Sequence, residues 1–468
     1  LSGNHALNCV PRQPEKWKQG VTGGAGVFEF GQAQQVSEAL ASLHGSAESG
    51  QNRVIAIWNI DMHSNPGEPT SFVLAQADAA FANNPYPTYK ALRDAAPLCK
   101  QPDGSVFLSR YENVRAVITD AERFSSDKRV DFLPKFGKTP LYEHHTTSLV
   151  FNDPPSHTRV RKLLSPFFSA QAMRRMETGV SANVDALLER AAERGEIDAL
   201  SEFALVIPLD LVCDLLGVPK DEREPLRRWA SVILGGLEPV RTPQQLAEGN
   251  QAVIDFKAYL RDLIAAKRRR GIPDDQPDVL DMLIREHDSG SGLTEDEILH
   301  NCIFMLNAGH DTTTSFITNG IDLLLRFPDQ KARLIADPAL LRTAIEEMLR
   351  YESPLQIGNR KALVDCEIGG EKFAAGTFFH LGIGAADHDE RQFPDPETFD
   401  VGRTPNRHIA FGHGIHTCAG NAVARMEATL AFGKLLARFP HFERAGPTVR
   451  PSRWRFRIID ELKVDLNP

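Results

Sequence analysis

The sequence contains no Cys-x-x-Cys pair. Its six cysteines, Cys9, Cys99, Cys213, Cys302, Cys366 and Cys418, are scattered along 468 residues. That spacing excludes a cysteine-rich zinc module, offers no disulfide framework and fits a reducing compartment. Cys213 and Cys302 lie in apolar, helix-like stretches and read as inert core thiols. No run reaches the roughly 18 uninterrupted apolar residues of a transmembrane helix, so no membrane span is expected. The first residues also lack a basic patch followed by an apolar run and a small-residue cleavage site, which makes the cytoplasm the expected location. Charge of one sign is not in large excess: the formal net charge of −9 argues against nucleic acid as the main partner. No repeat and no low-complexity linker follows residue 76.

What is present is an ordinary globular composition, 42% hydrophobic and 25% charged, enough for a substantial core. Residues 1–61 differ in texture, being rich in Gly, Ser and Gln with one brief helical patch at Val36–Leu43. Met62 and the polar residues after it resemble a usual protein start. Residues 1–61 are therefore expected to be a disordered extension, with a small ordered subdomain as the alternative, and residues 62–468 to hold the folded domain. From about residue 76 long helical patterns dominate: Ala170–Ala192, Ala247–Arg269, Glu295–Arg326 and Pro338–Tyr351. Thr294 with Glu297 forms a capping box, and Asp337 before Pro338 supplies an N-cap and an N1 proline. Short β-like runs occur at Ser105–Leu108, Lys361–Val364 and Thr377–Leu381. The expected fold class is mainly α with a minor β portion, in one large domain.

The densest chemical signal is Phe411-Gly412-His413-Gly414-Ile415-His416-Thr417-Cys418-Ala419-Gly420. Its glycines let the backbone turn tightly and approach a flat ligand. The next stretch, Asn421–Phe432, is a strong helix pattern, so Cys418 sits at or just before a helix N-terminus. Free N–H groups and the helix dipole there favour a thiolate.

Three further patterns are ambiguous by themselves. Glu347 and Arg350 share a helix face, which alone fits a surface ion pair. Ala308-Gly309-His310-Asp311-Thr312-Thr313 places a glycine and threonines inside a long helix, where both are locally unfavourable. His157 and Arg161 stand one helical turn apart, as two cationic donors suited to a carboxylate or as a solvated basic face.

Together these segments resemble the cytochrome P450 family, in order and distance, from Asn84-Pro85-Tyr86-Pro87 to the end of the chain. The cysteine segment matches the family's haem loop, Phe-Gly-x-Gly-x-His-x-Cys-x-Gly, at every fixed position. The resemblance implies a single helical domain around a buried haem, with Cys418 as the axial thiolate and metal ligand. It implies that His416, His157, Arg161 and Arg360 hold the haem propionates. Phe411, Gly412 and Gly420 would shape the thiolate's surroundings. Glu347 and Arg350 would close a buried triad with Arg403, within the meander-like Phe393–Arg403. Gly309 would leave room for dioxygen beside a distorted helical turn. Asp311 and Thr312 would relay protons, with His310 as packing.

The implied activity is a monooxygenase that inserts one oxygen atom from dioxygen into an apolar or partly apolar small molecule. The implied cofactor is haem b. No flavin or nicotinamide glycine motif follows the haem segment, so electrons from NAD(P)H would arrive through a separate ferredoxin and ferredoxin reductase, on a monomeric enzyme. Arg159, Lys162 and Arg425 are the expected docking patch. The substrate pocket is expected from Phe124–Val150, Trp229–Val240, Leu306, Ala308, Leu355, Ile357 and the tail near Trp454. Arg129 and Arg241 are its candidate polar handles, or else solvated surface. The alternatives are a peroxide-driven haem-thiolate enzyme and a non-catalytic haem or ligand-binding protein.

Overall fold

The computed structural model describes residues 72–238, 241–290 and 292–467. The expected extension at residues 1–61, its helical patch and the boundary at Met62 lie outside the described residues.

The helices that build the site are α1 (Pro140–Thr147), α2 (Ser156–Leu164), α3 (Ala170–Arg194), α4 (Val206–Leu216), α5 (Arg223–Gly235), α6 (Pro243–Arg270), α7 (Glu295–Arg326), α8 (Leu341–Tyr351) and α9 (Asn421–Arg438). The long helix α7 is the axis of the fold, and α4, α5, α6, α8 and α9 all pack against it. It begins where expected: Glu297 N–H donates to Thr294 Oγ1 at 3.1 Å and Thr294 N–H to Glu297 Oε2 at 2.9 Å. These two bonds satisfy donors that the first turn leaves free. Three acidic residues, Glu295, Asp296 and Glu297, sit at its positive end.

The interior of α7 does not distort. It is helical from Glu295 to Arg326 without a break. Three of its hydroxyls are absorbed by the helix itself, since Thr312, Ser315 and Thr318 each donate to the carbonyl four residues back at 2.6–2.8 Å. Gly309 answers to packing: a Cβ there would stand 2.8 Å from Val212 Cγ2 of α4. The expected distorted turn beside Gly309 is therefore not seen, although Gly309 lines the cavity.

The minor β portion is small. A five-stranded sheet runs β1-β2-β8-β5-β3, from β1 (Leu98–Lys100), β2 (Val106–Leu108), β3 (Phe124–Ser125), β5 (Ile357–Ala362) and β8 (Phe378–Gly382). β2 and β8 pair parallel, and β5 pairs antiparallel with β8 so that Arg360 lies opposite Phe379. A second sheet joins β4 (Glu196–Asp198), β9 (Glu443–Arg444) and β10 (Lys463–Asp465); β6 (Cys366–Ile368) and β7 (Glu371–Phe373) form a hairpin.

Several expected boundaries move. α6 starts at Pro243, ahead of Ala247, because Thr242 and Gln245 form a further capping box. Pro338–Leu340 is a 3-10 turn, with Asp337 accepting from Ala339 N–H at 3.1 Å, and α8 begins only at Leu341. The run expected at Lys361–Val364 enters the sheet earlier, at Ile357. Cys213 and Cys302 are fully buried in the cluster between α4, α6 and α7, and burial pushes both thiols up to about 12.

Candidate functional site

A cavity of about 380 Å³ lies among α2, α4, α7, α9 and β5. Cys418, Phe411, Gly412, His416 and Gly420 line it, as do His157, Arg161, Arg360, Ala308, Thr312 and Leu355.

The Cys418 loop is folded by its own backbone. Cys418 N–H donates to Phe411 O at 2.9 Å and Gly412 N–H to Ile409 O at 2.8 Å. Gly412 and Gly414 have φ of +67° and +71°, a region that residues with a Cβ rarely occupy. A Cβ at Gly414 would also approach Thr119 O to 3.0 Å. The Asn421 side chain closes the loop onto Cys418 O at 2.7 Å, and α9 starts there. Gly420 N–H points at the Cys418 sulfur, yet burial pushes the thiol up. The helix terminus therefore does not make a thiolate by its own field; a metal cation held at the sulfur would.

At one rim donors collect with no carboxylate to receive them among the described residues that line the cavity there. The rings of His157 and His416 lie 4.2 Å apart, and His157 Nδ1 and His416 Nε2 are buried with no hydrogen-bond partner among the described residues. Arg161 donates to Thr417 O at 2.8 Å, and Arg360 to Asn359 O at 2.8 Å. Burial draws Arg360 down to about 10. Burial and then Arg360 draw His416 down to about 2, and burial with Arg161 lowers His157. The two histidines are thus neutral donors at pH 7, which corrects the His157 half of the expected cationic pair with Arg161. Lys128, unnoticed in the sequence, joins them: its Nζ is buried and unpartnered, and burial with Arg360 lowers it to about 7. Such a set suits two carboxylates. With Cys418 in the same cavity, it fits an iron porphyrin carrying two propionates.

Behind the cavity Glu347 gathers the charges expected of a triad. Its carboxylate accepts from Arg350 Nε and Nη2 at 2.8 Å each and from Arg403 Nε at 3.1 Å. Asn406 Nδ2 at 3.0 Å and Asp400 N–H at 3.1 Å complete its shell.

Other expected residues fall elsewhere. Leu306 and Ile357 are core residues outside the cavity wall. Asp311 is also off the wall; Oδ1 lies 2.6 Å from His310 Nδ1 and Oδ2 has no partner among the described residues. His310 thus contacts an acid rather than only packing. Arg129 is exposed and bound to Asp127, and Arg241 lies 4.9 Å from the Phe136 ring centre. Neither lines the cavity. In the expected docking patch Arg159 pairs with Glu297 and Arg425 with Glu346. Lys162 alone of the three is exposed without a carboxylate partner among the described residues.

A model of the cytochrome P450 family matches residues 238–454. The chain is 33% identical over 410 residues to the biotin biosynthesis cytochrome P450 of Bacillus subtilis, covering 83% of this chain and 98% of that one. The chain belongs to the cytochrome P450 family. This P450 is also 36% identical to the vitamin D(3) 25-hydroxylase of Pseudonocardia autotrophica, over 77% of this chain and 87% of the relative. The crystal structure of P450BioI with hexadec-9Z-enoic acid ligated acyl carrier protein superposes with a TM-score of 0.78 at 32% identity, covering 83% of this chain and 100% of that chain. Family membership makes the protein an oxidoreductase of the monooxygenase type, using haem and dioxygen. No helix among the described residues is long and apolar enough to cross a membrane.

Proposed function

We propose that this P450 carries haem b on Cys418 and inserts one oxygen atom from dioxygen into an apolar or partly apolar small molecule. The observation that carries the reading is the joint placement, around one cavity, of Cys418 and the unpartnered donors His157 and His416 beside Arg161 and Arg360, with the buried, unpartnered Lys128 behind the wall near His416. When bound, the haem supplies dioxygen activation and oxygen-atom transfer, the second atom leaving as water.

The protein's own groups then have separate tasks. Cys418 offers the thiolate, with Gly420 N–H lowering its basicity. Arg425 lies 4.5 Å from the Phe411 ring centre and braces that wall. His157, Arg161, Arg360, His416 and Lys128 hold the two propionates. Thr312 stands on the cavity wall with its proton directed to Ala308 O at 2.6 Å. For Asp311 to feed that hydroxyl, its carboxylate has to leave His310 and turn toward Thr312.

Electrons come from NAD(P)H through a separate ferredoxin and its reductase, docking near Lys162. The free cysteines among the described residues suit a reducing cytoplasm. We further assign residues 62–468 to the haem domain, with residues 1–61 upstream of it.

The test is the optical spectrum of the reduced carbon monoxide complex. A Soret band at the thiolate-ligated position is expected, moving to the histidine-ligated position in Cys418→His. A histidine-type band in well-folded wild-type protein refutes the assignment. A peroxide-driven reaction is the second reading, favoured by the turn of Asp311 toward His310. Turnover with peroxide in place of ferredoxin, reductase and NAD(P)H separates the two.

A further inference from the structure

The cavity holds one more cation, which the propionate cradle does not need. Arg455 lines the cavity and is half-buried. Its backbone is fixed from two directions: its N–H donates to Glu238 Oε2 at 3.2 Å, and its carbonyl accepts from Gln356 N–H at 2.8 Å. The next residue, Phe456, bridges Leu355.

The guanidinium itself is not served. Its Nε is buried with no hydrogen-bond partner among the described residues. Glu238 is the carboxylate that opposes it: Oε2 accepts from the amides of Trp454 and Arg455, and Oε1 is buried with no hydrogen-bond partner among the described residues, so it does not bond the guanidinium. Burial draws Arg455 below the ordinary guanidinium value, with Glu238 opposing and Arg241 adding to the effect. A guanidinium cannot escape by losing its proton.

Arg455 is set apart from the cradle by its surroundings. The charges that act on His416 are those of Arg360, His157, Lys128 and Arg161. Those around Arg455 are Glu238, Arg241, His145, Lys135 and Lys128, with Lys128 common to both sets. His145 stands on the same wall with Nε2 buried and unpartnered among the described residues. Burial, then Arg241 and Arg455, hold it down to about 3, so it is a neutral donor. The neighbouring wall is apolar, from Leu234, Leu237, Phe304 and Phe456.

We propose that Arg455 anchors a carboxylate and that the substrate is an amphipathic acid, an apolar chain or ring ending in that carboxylate, with His145 as a second donor. The planar guanidinium fork matches a carboxylate. Arg241, Lys135 and Lys128 lie near Arg455 without lining the cavity, so on this part of the wall an anion meets one guanidinium and one neutral imidazole. The inference rests on the monooxygenase reading of the same cavity.

The test uses ferric holoprotein and two matched pairs: dodecanoic acid with methyl dodecanoate, and 4-butylbenzoic acid with 4-butylbenzamide. Dissociation constants come from the ligand-induced shift of the haem spectrum. In at least one pair the acid is expected to bind ~10- to 100-fold tighter than its neutral partner, the range of a hydrogen bond to a charged group. Arg455→Met removes that preference while the neutral partner still binds, and Arg455→Lys keeps part of it. Equal affinity of acid and neutral partner in both pairs overturns the proposal. So does loss of haem, rather than of acid preference, in Arg455→Met, since that would place Arg455 in the propionate cradle. Reduced carbon monoxide spectra of the same preparations separate the two readings. A missing thiolate band in the wild type fails the monooxygenase assignment, whereas an intact band without acid preference fails only this proposal.

Discussion

Glu427 offers a direct measurement of how the interior treats an unpaired acid. It sits in α9, is fully buried, and Oε1 has no hydrogen-bond partner among the described residues. Burial alone raises its carboxyl to about 8. A free glutamate titrates near ~4.3, so between these values the folded chain keeps a proton that the unfolded chain has released. Stability therefore falls as pH rises through that window. The slope is about 1.4 kcal/mol per pH unit, which gives roughly 3.5 kcal/mol between pH 5 and pH 8 and flattens above 8. Glu427→Gln keeps the shape and abolishes the titration. Equilibrium urea unfolding of holoprotein at pH 5, 6, 7 and 8, followed by circular dichroism, should show the variant gaining on the wild type by about that amount. Any fixed cost of the amide's extra donor cancels in the comparison. Parallel stability–pH curves for the two proteins would refute the reasoning.

Three other outcomes follow from the geometry. Glu347→Ala strands Arg350 in a fully buried site. It should cost roughly 3–5 kcal/mol, read as a lowered melting temperature and a reduced yield of haem-loaded protein; wild-type values for both would exclude the triad as a support. Gly309→Ala drives a Cβ against Val212, at a cost of about 1–3 kcal/mol. Val212→Ala in the same chain should recover most of that loss, and strictly additive effects in the double-mutant cycle would show that the two residues do not meet. Lys162→Glu should slow electron delivery from a ferredoxin at low salt and lose that effect at high salt; unchanged rates at low salt would place docking elsewhere.

What the sequence made legible is what depends on neighbours along the chain. The ends of α7 could be read because Thr294, Glu297 and the residues after them do their work within one turn. The Cys418 loop could be read because its glycines and the following helix lie together. Arg403 is different. It reaches Glu347 from 56 residues away, and only the family pattern links them before folding does. Leu306 shows a limit of position without phase. Met305, Ala308, Gly309, Thr312 and Phe316 share one helical face and line the cavity, with Phe304, Asn307 and Thr313 reaching it from the flanks, while Leu306 and Asp311 are rotated off that face and do not line it. Ile357, beside Gly358 in a strand, takes the opposite face by the same kind of argument. Lys128, His145 and Arg455 fall in or beside stretches expected near the pocket, but nothing local singles them out, because being buried without a partner is a property of the folded surroundings.

Those unpartnered groups do not all carry the same meaning, and the difference lies in proton chemistry. Glu427 meets its burial by holding a proton, and at neutral pH it is an ordinary neutral acid that asks for no ligand. Lys128, lowered to about 7, can halve its charge in the same way. His145 and His416 are neutral already. The arginines have no such exit, since even Arg360, lowered to about 10, remains cationic at pH 7. A buried, unpaired carboxyl or amine can therefore be a tolerated cost of the fold, whereas a buried guanidinium facing a cavity implies an anion that comes from outside the chain. Arg360 meets that condition beside Cys418, with the half-buried Arg161 next to it, and Arg455 meets it again at a separate place on the wall. Two carboxylates of one haem answer the first set. Neutral substrates leave the second unanswered, so discrimination between an acid and its ester is the measurement on which the substrate class turns.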